Sequence, residues 1–390
     1  MGDLGVKKLS FYEKLFVLAI ATKPLYLTSS GSLQISDYLY MALFALFLLP
    51  GKISFPRYKE AKWALSFIVL IVYQFLVNIA SYIVNDINGI NDMAMITRII
   101  YYIFNLFVCI TIFQLYGLIG YKKLLKLYLL GSSISIVVCY IGVIMYWSGT
   151  GRVTGFFNNP NQLGYYAILM MTVFVVFCHE MPKKFGLVLI ILCVVLNVFS
   201  LSKASLIGSA ALILSYALLS SDSKGIKKTI LTIITVLLVT MIIYMMMFSD
   251  NAFFTDKYYI MKMRNRLFNM SSESDTDLGT GRGYDRIKEI GALIVTGVGQ
   301  GAYDRFEALK GKELHSTYAS LIVSYGLIGF GGYCYLFGKA IFSNKRIVFN
   351  VLSMIGVMLY SITHNGIRSS LLWTLIVMLL LRSQNNAENQ

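Results

Sequence analysis

Residues 93–147 read MAMITRIIYYIFNLFVCITIFQLYGLIGYKKLLKLYLLGSSISIVVCYIGVIMYW. Two apolar runs, 93–115 and 124–147, flank a short step that carries Lys122, Lys123 and Lys126. Each run has about the 17–25 residues that a helix needs to cross roughly 30 Å of hydrocarbon. Working outward, the same unit recurs along the chain. Spans are expected at roughly 11–31, 35–50, 62–84, 93–115, 124–147, 162–180, 185–201, 204–220, 228–248, 316–338, 347–362 and 367–382. Hydrophobic residues make up 57% of the 390 and charged residues 14%, against about 25% charged in a soluble domain. The sequence therefore predicts an all-α, polytopic integral membrane protein with about twelve transmembrane helices. The first run follows Lys7, Lys8 and Lys14 and has no small-residue cleavage site, so it reads as a span.

The net charge of +15 raises the question of nucleic acid, and the position of the charges answers it. Lys52, Arg57 and Lys59 follow the second span. Lys122, Lys123 and Lys126 follow the fourth, Lys183 and Lys184 the sixth, Lys224, Lys227 and Lys228 the eighth, and Lys339, Lys345 and Arg346 the tenth. Loops 30–34 and 85–92 have no Lys or Arg. This alternation is the positive-inside pattern. It puts both termini in the cytoplasm and accounts for most of the charge without a nucleic-acid partner. The expected organisation is helices 1–9 over 1–248, a large periplasmic loop over 249–315, helices 10–12 over 316–382, and a disordered cytoplasmic tail over 383–390. Inside the large loop, Ser271 to Thr280 is polar and Gly/Ser-rich, and Arg282 to Val298 reads as an amphipathic helix. Cys109, Cys139, Cys178, Cys193 and Cys334 all fall in apolar stretches without disulfide or metal spacing, so they read as packed thiols.

A few cations break the pattern: Arg152, Lys203 and Arg368 in or beside short outer loops, and Arg98 near the outer end of the fourth span. An unpaired Arg at bilayer depth costs about 2.5–3.5 kcal/mol on insertion scales, so each needs an anionic partner. Snorkelling to lipid phosphates, or pairing with an acid such as Asp92 for Arg98, would supply one. Arg152 opens Arg152-Val153-Thr154-Gly155-Phe156-Phe157-Asn158-Asn159-Pro160-Asn161-Gln162-Leu163-Gly164. Backbone this polar and glycine-rich is tolerated at membrane depth only where it lines a cavity or packs on protein. Lys203 sits in the hydroxyl-rich turn Ser200-Leu201-Ser202-Lys203-Ala204-Ser205, which opens a helix. A cation, hydroxyls and helix N-terminal N–H groups together suit a phosphate. His315 stands at the outer interface at the start of the tenth span, where it reads either as a polar helix cap or as a general base. A helix N-terminus disfavours the imidazolium form, which suits a base. His364 lies on another outer turn and is the second candidate, whereas His179 lies on the cytoplasmic side beside Glu180. Gly297-Val298-Gly299-Gln300-Gly301 lacks the Lys-Ser/Thr ending and the preceding strand of a nucleotide loop, so it reads as a close turn.

Several of these patterns occur in one order: Arg152 to Gly164, the Ser202-Lys203-Ala204-Ser205 turn, Gly281-Arg282 leading into Gly297-Val298-Gly299, and His315-Ser316 followed by Gly326 and Gly329. The ordered set resembles the superfamily of bacterial O-antigen ligases and O-antigen polymerases, over about residues 120–380. Lys203 departs from it, since family members often carry Arg there, and Lys lacks the bidentate fork. The resemblance implies a membrane-embedded glycosyltransferase of the C type in the bacterial inner membrane, with its active site facing the periplasm. It implies one inverting displacement in which a glycan leaves undecaprenyl diphosphate for a hydroxyl. Arg152, Arg282 and Lys203 would hold the diphosphate and His315 would be the catalytic base. Asn158, Asn161, Ser202, Tyr318, His364 and Arg368 would complete the substrate site. No acidic metal motif stands among the outer elements, so neither a metal nor another cofactor is expected. Expected partners are the lipid-linked oligosaccharide donor and acceptor, membrane lipids, and a chain-length regulator and a flippase. Richness in Tyr, Phe, Ile, Asn and Lys favours the polymerase by analogy. A ligase acting on lipid A-core is the alternative. A lipid-linked oligosaccharide flippase or transporter would not need the His315 element and would carry its cations nearer the midplane.

Overall fold

A computed structural model describes residues 9–29, 32–49, 58–87, 98–146, 152–219, 282, 284–301, 314–342 and 347–388. Among them every regular element is helical and none is a strand. The helices are α1 (Phe11–Ala21), α2 (Ile35–Leu48), α3 (Tyr58–Ile87), α4 (Ile100–Met145), α5 (Pro160–Val176), α6 (Lys183–Ser200), α7 (Lys203–Leu219), α8 (Thr317–Phe342), α9 (Ile347–Thr363) and α10 (Ser370–Glu388). A helix stands within each expected span among the described residues, but the first ends at Ala21, well short of the expected 11–31. The ninth span, 228–248, lies outside them, as do residues 249–281 and 302–313 of the large loop. Four helices, within α3, α4, α6 and α8, are long and apolar enough to cross a membrane. The chain is a helical membrane protein. On α3, Trp63 and Phe67 are buried inside the bundle while Leu65, Val69, Val72 and Leu76 are exposed. A helix apolar on both faces is one that meets lipid outside and protein inside.

The α4 helix is continuous except at Gly120, whose φ of 72° and ψ of 164° break it. The break falls between the two expected spans, 93–115 and 124–147. Beyond it Lys123 meets Glu13 at 2.5 Å, at the start of α1. At the far end of the first half, the Asn105 amide donates to the carbonyl of Arg368 at 3.2 Å. The two halves therefore run in opposite directions, with Gly120 at one end of the bundle and Arg368 at the other. Glu13 also closes a capping box with Ser10, which starts α1.

Aromatic rings fill the centre. Trp373 stacks on Phe67 at 4.4 Å and lies edge-on to Trp63 at 6.4 Å. Both indole N–H groups find carbonyls, of Leu336 and Ile367, as buried indoles require. At the Gly120 end, Arg382 pairs with Glu180 at 3.1 Å and lies over the rings of Phe177 and Phe349. The expected disordered tail is instead helical as far as Glu388.

One difference from the sequence reading concerns the large loop. Arg282 to Val298 is not an amphipathic α-helix. It forms two short 3-10 turns, Asp285–Lys288 and Gly291–Ile294, interrupted by Gly291 at φ 53°. The glycine run that follows does form a close turn, and it docks on α8. There Gly326 takes φ 64° and ψ −170°, breaking the helix. The carbonyls freed by the break accept from Val298 N at 2.9 Å (Val323 O) and Gly299 N at 2.9 Å (Ser324 O), and Ile328 N donates to Val295 O at 3.2 Å. Asn78, Ser81 and Tyr73 of α3 bind the same segment through Gln300 N, Val298 O and Thr296 O. Backbone that leaves a helix inside a membrane protein has to be satisfied by protein in this way.

Candidate functional site

Three non-helical stretches meet at the Arg368 end of the bundle: the 152–159 loop, the 284–301 segment, and the 364–369 turn between α9 and α10. The first is fixed by Arg152. Its Nε donates to Ser200 O at 2.9 Å and its Nη2 donates to Asn161 Oδ1 at 2.6 Å. Arg152 thus ties the start of α5 to the end of α6. Asn159 caps α5, accepting from Gln162 N at 2.9 Å, and Pro160 occupies the first turn. The turn from α6 to α7 passes through Leu201 at φ 46°, the one non-glycine residue with positive φ among the described residues. That conformation costs about 1–2 kcal/mol, and it is held where Ser200 receives Arg152.

Tyr284 fixes the second stretch. Its hydroxyl donates to Ile362 O at 2.8 Å and accepts from Ser316 Oγ at 2.8 Å. It clasps the C-terminal end of α9 and the N-terminal end of α8, two residues after Arg282. Partial burial raises the Tyr284 phenol above its ordinary range, an effect the Ser316 bond opposes. Ser316, not His315, caps α8, with Ala319 N donating to Ser316 Oγ at 3.2 Å. His315 precedes the cap and is exposed.

The third stretch is sewn to α8. Thr317 N and Oγ1 both donate to His364 O, at 3.2 and 2.8 Å, and Gly366 N donates to Thr317 Oγ1 at 3.1 Å. The two histidines are thereby brought to one place. His364 stacks on Tyr360 at 4.4 Å, its Nδ1 lies 2.8 Å from Thr363 Oγ1, and its Nε2 is buried without a hydrogen-bond partner. Burial, then the charges of Arg282, His315 and Arg152, push its pKa down from 6.5 to about 3. His364 is therefore neutral at any physiological pH. It is also too weak a base to remove a hydroxyl proton efficiently, because the best catalytic pKa lies near the working pH. Its neutral ring is suited to a hydrogen bond. His315, by contrast, is exposed.

These groups adjoin a cavity of about 420 Å3, within the range of small-molecule sites. His315, Tyr360, His364 and Arg368 line it, together with Asn161. Arg368 lies over the Tyr101 ring at 5.0 Å. Of the other residues singled out in the sequence, Asn158 donates to Thr28 O at 3.0 Å and is exposed. Ser202 is buried, and its hydroxyl has no hydrogen-bond partner among the described residues. Lys203 is the first residue of α7 and is half-buried. Tyr318 points away from the cavity, donating to Met358 O at 3.0 Å on α9. Arg98 lies against Gly301, and its suggested partner Asp92 is outside the described residues. No cluster of His, Cys, Asp and Glu that could hold a metal ion stands among the described residues.

Two participants escaped the sequence. Lys23 was hidden inside the first apolar run, yet it is a buried cation on the cavity wall, 2.8 Å from Asp37. Tyr284 is one of many tyrosines until its bonds to two helix ends are seen. Compared with known proteins, the chain matches no family model, no curated protein and no solved structure.

Proposed function

We propose that the chain is a surface-polysaccharide polymerase of the bacterial inner membrane, working on its periplasmic face with both termini in the cytoplasm. It transfers a glycan from undecaprenyl diphosphate to a hydroxyl of the next lipid-linked repeat unit. The observation that carries the reading is that His315, His364 and Arg368 line one cavity, with Arg152 bonded to the cavity-lining Asn161 and Arg282 two residues before the Tyr284 that joins the ends of α8 and α9. The resemblance of the ordered motifs agrees with it.

The chemistry follows from those parts. Arg152 and Arg282 hold the diphosphate, and their charge-assisted bonds, each worth about 1.5–3 kcal/mol, strengthen as the leaving group gains charge. His315 takes the proton of the attacking hydroxyl. His364, neutral and fixed by Thr363 and Tyr360, offers Nε2 to a substrate hydroxyl and adds no further charge beside the arginines. The glycosidic bond to phosphate breaks as the new one forms, on the opposite face of the anomeric carbon, and undecaprenyl diphosphate departs.

Deleting the gene and running surface polysaccharide on a gel tests this. A polymerase mutant leaves core bearing a single repeat. Bare core would instead assign the chain to the ligases, and loss of repeat export would assign it to the flippases.

A further inference from the structure

The cavity wall carries two chemically different sets of groups. His315, His364 and Arg368 form one. In the other the charges balance. Lys23, 6% exposed, donates to Asp37 Oδ1 at 2.8 Å and to Ser370 Oγ at 2.8 Å. Asp37 also accepts from Ser370 Oγ at 3.2 Å, and its second oxygen accepts from Gln34 N at 3.0 Å. Asp37 is thereby satisfied, but Lys23 is not. An ammonium has three donors, and among the described residues only two have acceptors. Lys23, Asp37 and Gln34 all line the cavity. The wall also carries aromatic rings, such as Tyr26 and Tyr101, and side-chain amides, such as Asn161 and Gln162.

We propose that the Lys23–Asp37 part of the cavity is the subsite for the acceptor glycan, and that it recognises a neutral, hydroxyl-rich sugar. The inference rests on the polymerase reading for the word acceptor. A free ammonium N–H and carboxamides bind vicinal hydroxyls, and aromatic faces cover the C–H faces of a pyranose. An anionic ligand is disfavoured because Asp37 already neutralises Lys23. A purely apolar ligand would leave the ammonium and the amides without partners. The placement follows from the reaction. An inverting displacement needs the leaving group and the nucleophile on opposite faces of the reacting carbon. With the diphosphate at Arg152 and Arg282, the sugar whose hydroxyl faces His315 extends into the cavity toward Lys23.

The test uses the full chain in detergent and a lipid-free probe, the repeat-unit oligosaccharide released from the host's own surface polysaccharide. Removing Lys23 alone would strand a buried carboxylate, so both charges are removed together in Lys23→Met with Asp37→Asn. The carboxamide that replaces the Asp37 carboxylate can still accept from Gln34 N and bond Ser370. The folded double variant should bind the oligosaccharide about 10- to 100-fold more weakly, the range for a hydrogen bond to a charged group. Binding equal to that of the parent overturns the subsite. A second measurement leaves the ion pair intact. Ser32 is exposed on the cavity rim, and the oligosaccharide should slow alkylation of Ser32→Cys, read at that residue by mass spectrometry. Unchanged alkylation at saturating oligosaccharide overturns the subsite even if the double variant does not fold. Neither measurement needs donor or turnover. A failed gel phenotype with intact sugar binding therefore sinks the polymerase reading alone, and the converse sinks the subsite alone.

Discussion

Replacing Gly326 with alanine strikes the joint between α8 and the segment that carries Arg282. A Cβ there would stand 2.2 Å from Val295 O and 2.6 Å from Gly297 N, where ordinary contact begins at 3.4 Å. The clash is with backbone, so no side-chain rotation relieves it. Either the alanine abandons φ 64° or the segment moves off. Moving off breaks three bonds: Val298 N to Val323 O, Gly299 N to Ser324 O, and Ile328 N to Val295 O. At about 0.5–1.5 kcal/mol each, with about 1–3 kcal/mol for an alanine held in this essentially glycine-only conformation, the loss is about 2.5–7.5 kcal/mol. That is a large share of a total stability of about 5–15 kcal/mol. The loss is local, so the helices should survive while the segment detaches. Hydrogen exchange at the Val298 and Gly299 amides in nanodiscs should accelerate strongly, and the glycan ladder should collapse. Gly331→Ala is the control. It lies in the same helix with nothing within 4 Å of its Cβ position, and alanine is favoured in a helix by about 0.8–1.0 kcal/mol. If Gly326→Ala matches Gly331→Ala in melting temperature and keeps both amides protected, the docked turn does not hold the segment and the reasoning fails.

The other predictions use the site and the topology. His315→Asn should keep its melting temperature but lose about 10²–10⁴-fold in transfer, whereas Ser316→Ala should cost about 0.5–2 kcal/mol of stability as a lost cap; an active Asn variant would remove His315 from the chemistry. Arg152→Ala and Arg282→Ala should each abolish the ladder with expression intact, and near-normal ladders from both would dissociate these arginines from the diphosphate. His364 is neutral when folded, with its pKa lowered from 6.5 to about 3, so the unfolded chain binds the extra proton. Its contribution to stability is complete above about pH 6.5 and lost as pH falls toward 3; melting curves across that window should flatten in His364→Asn, and an unchanged slope would count against a buried neutral ring. Labelling of intact cells should modify Ser272→Cys and spare Ser223→Cys, and the reverse pattern would invert the proposed orientation.

The helices were legible because lipid sets a length that a sequence has to meet, and runs such as 162–180 and 185–201 meet it with no help from the rest of the chain. The glycine turn was legible for a similar local reason: without the Lys-Ser/Thr ending, three glycines in five residues have little to do but bend. What defeated the sequence was contact between distant positions. Lys23 looked like part of an apolar run because its partners lie 14 and 347 residues away, at Asp37 and Ser370. A cation at the outer end of a span was nonetheless a visible breach of the positive-inside pattern, of the same kind as Arg152 and Arg368. The amphipathic pattern of Arg282 to Val298 misled because its apolar residues serve a different purpose. Ile290 and Val298 pack on Leu314 and Val323, and Gly291 at φ 53° turns the chain where a helix would have to continue. The smallest displacement matters most for chemistry. Read as the start of a helix, His315 could be explained away as a cap. Serine is the better cap, and in the structure Ser316 does cap α8, while also holding Tyr284 and through it the Arg282 segment. His315 is thereby relieved of the one structural task that would account for it. Its exposure in the cavity lining, beside a second imidazole whose pKa is lowered to about 3, makes it the residue on which the proposed proton transfer is best tested.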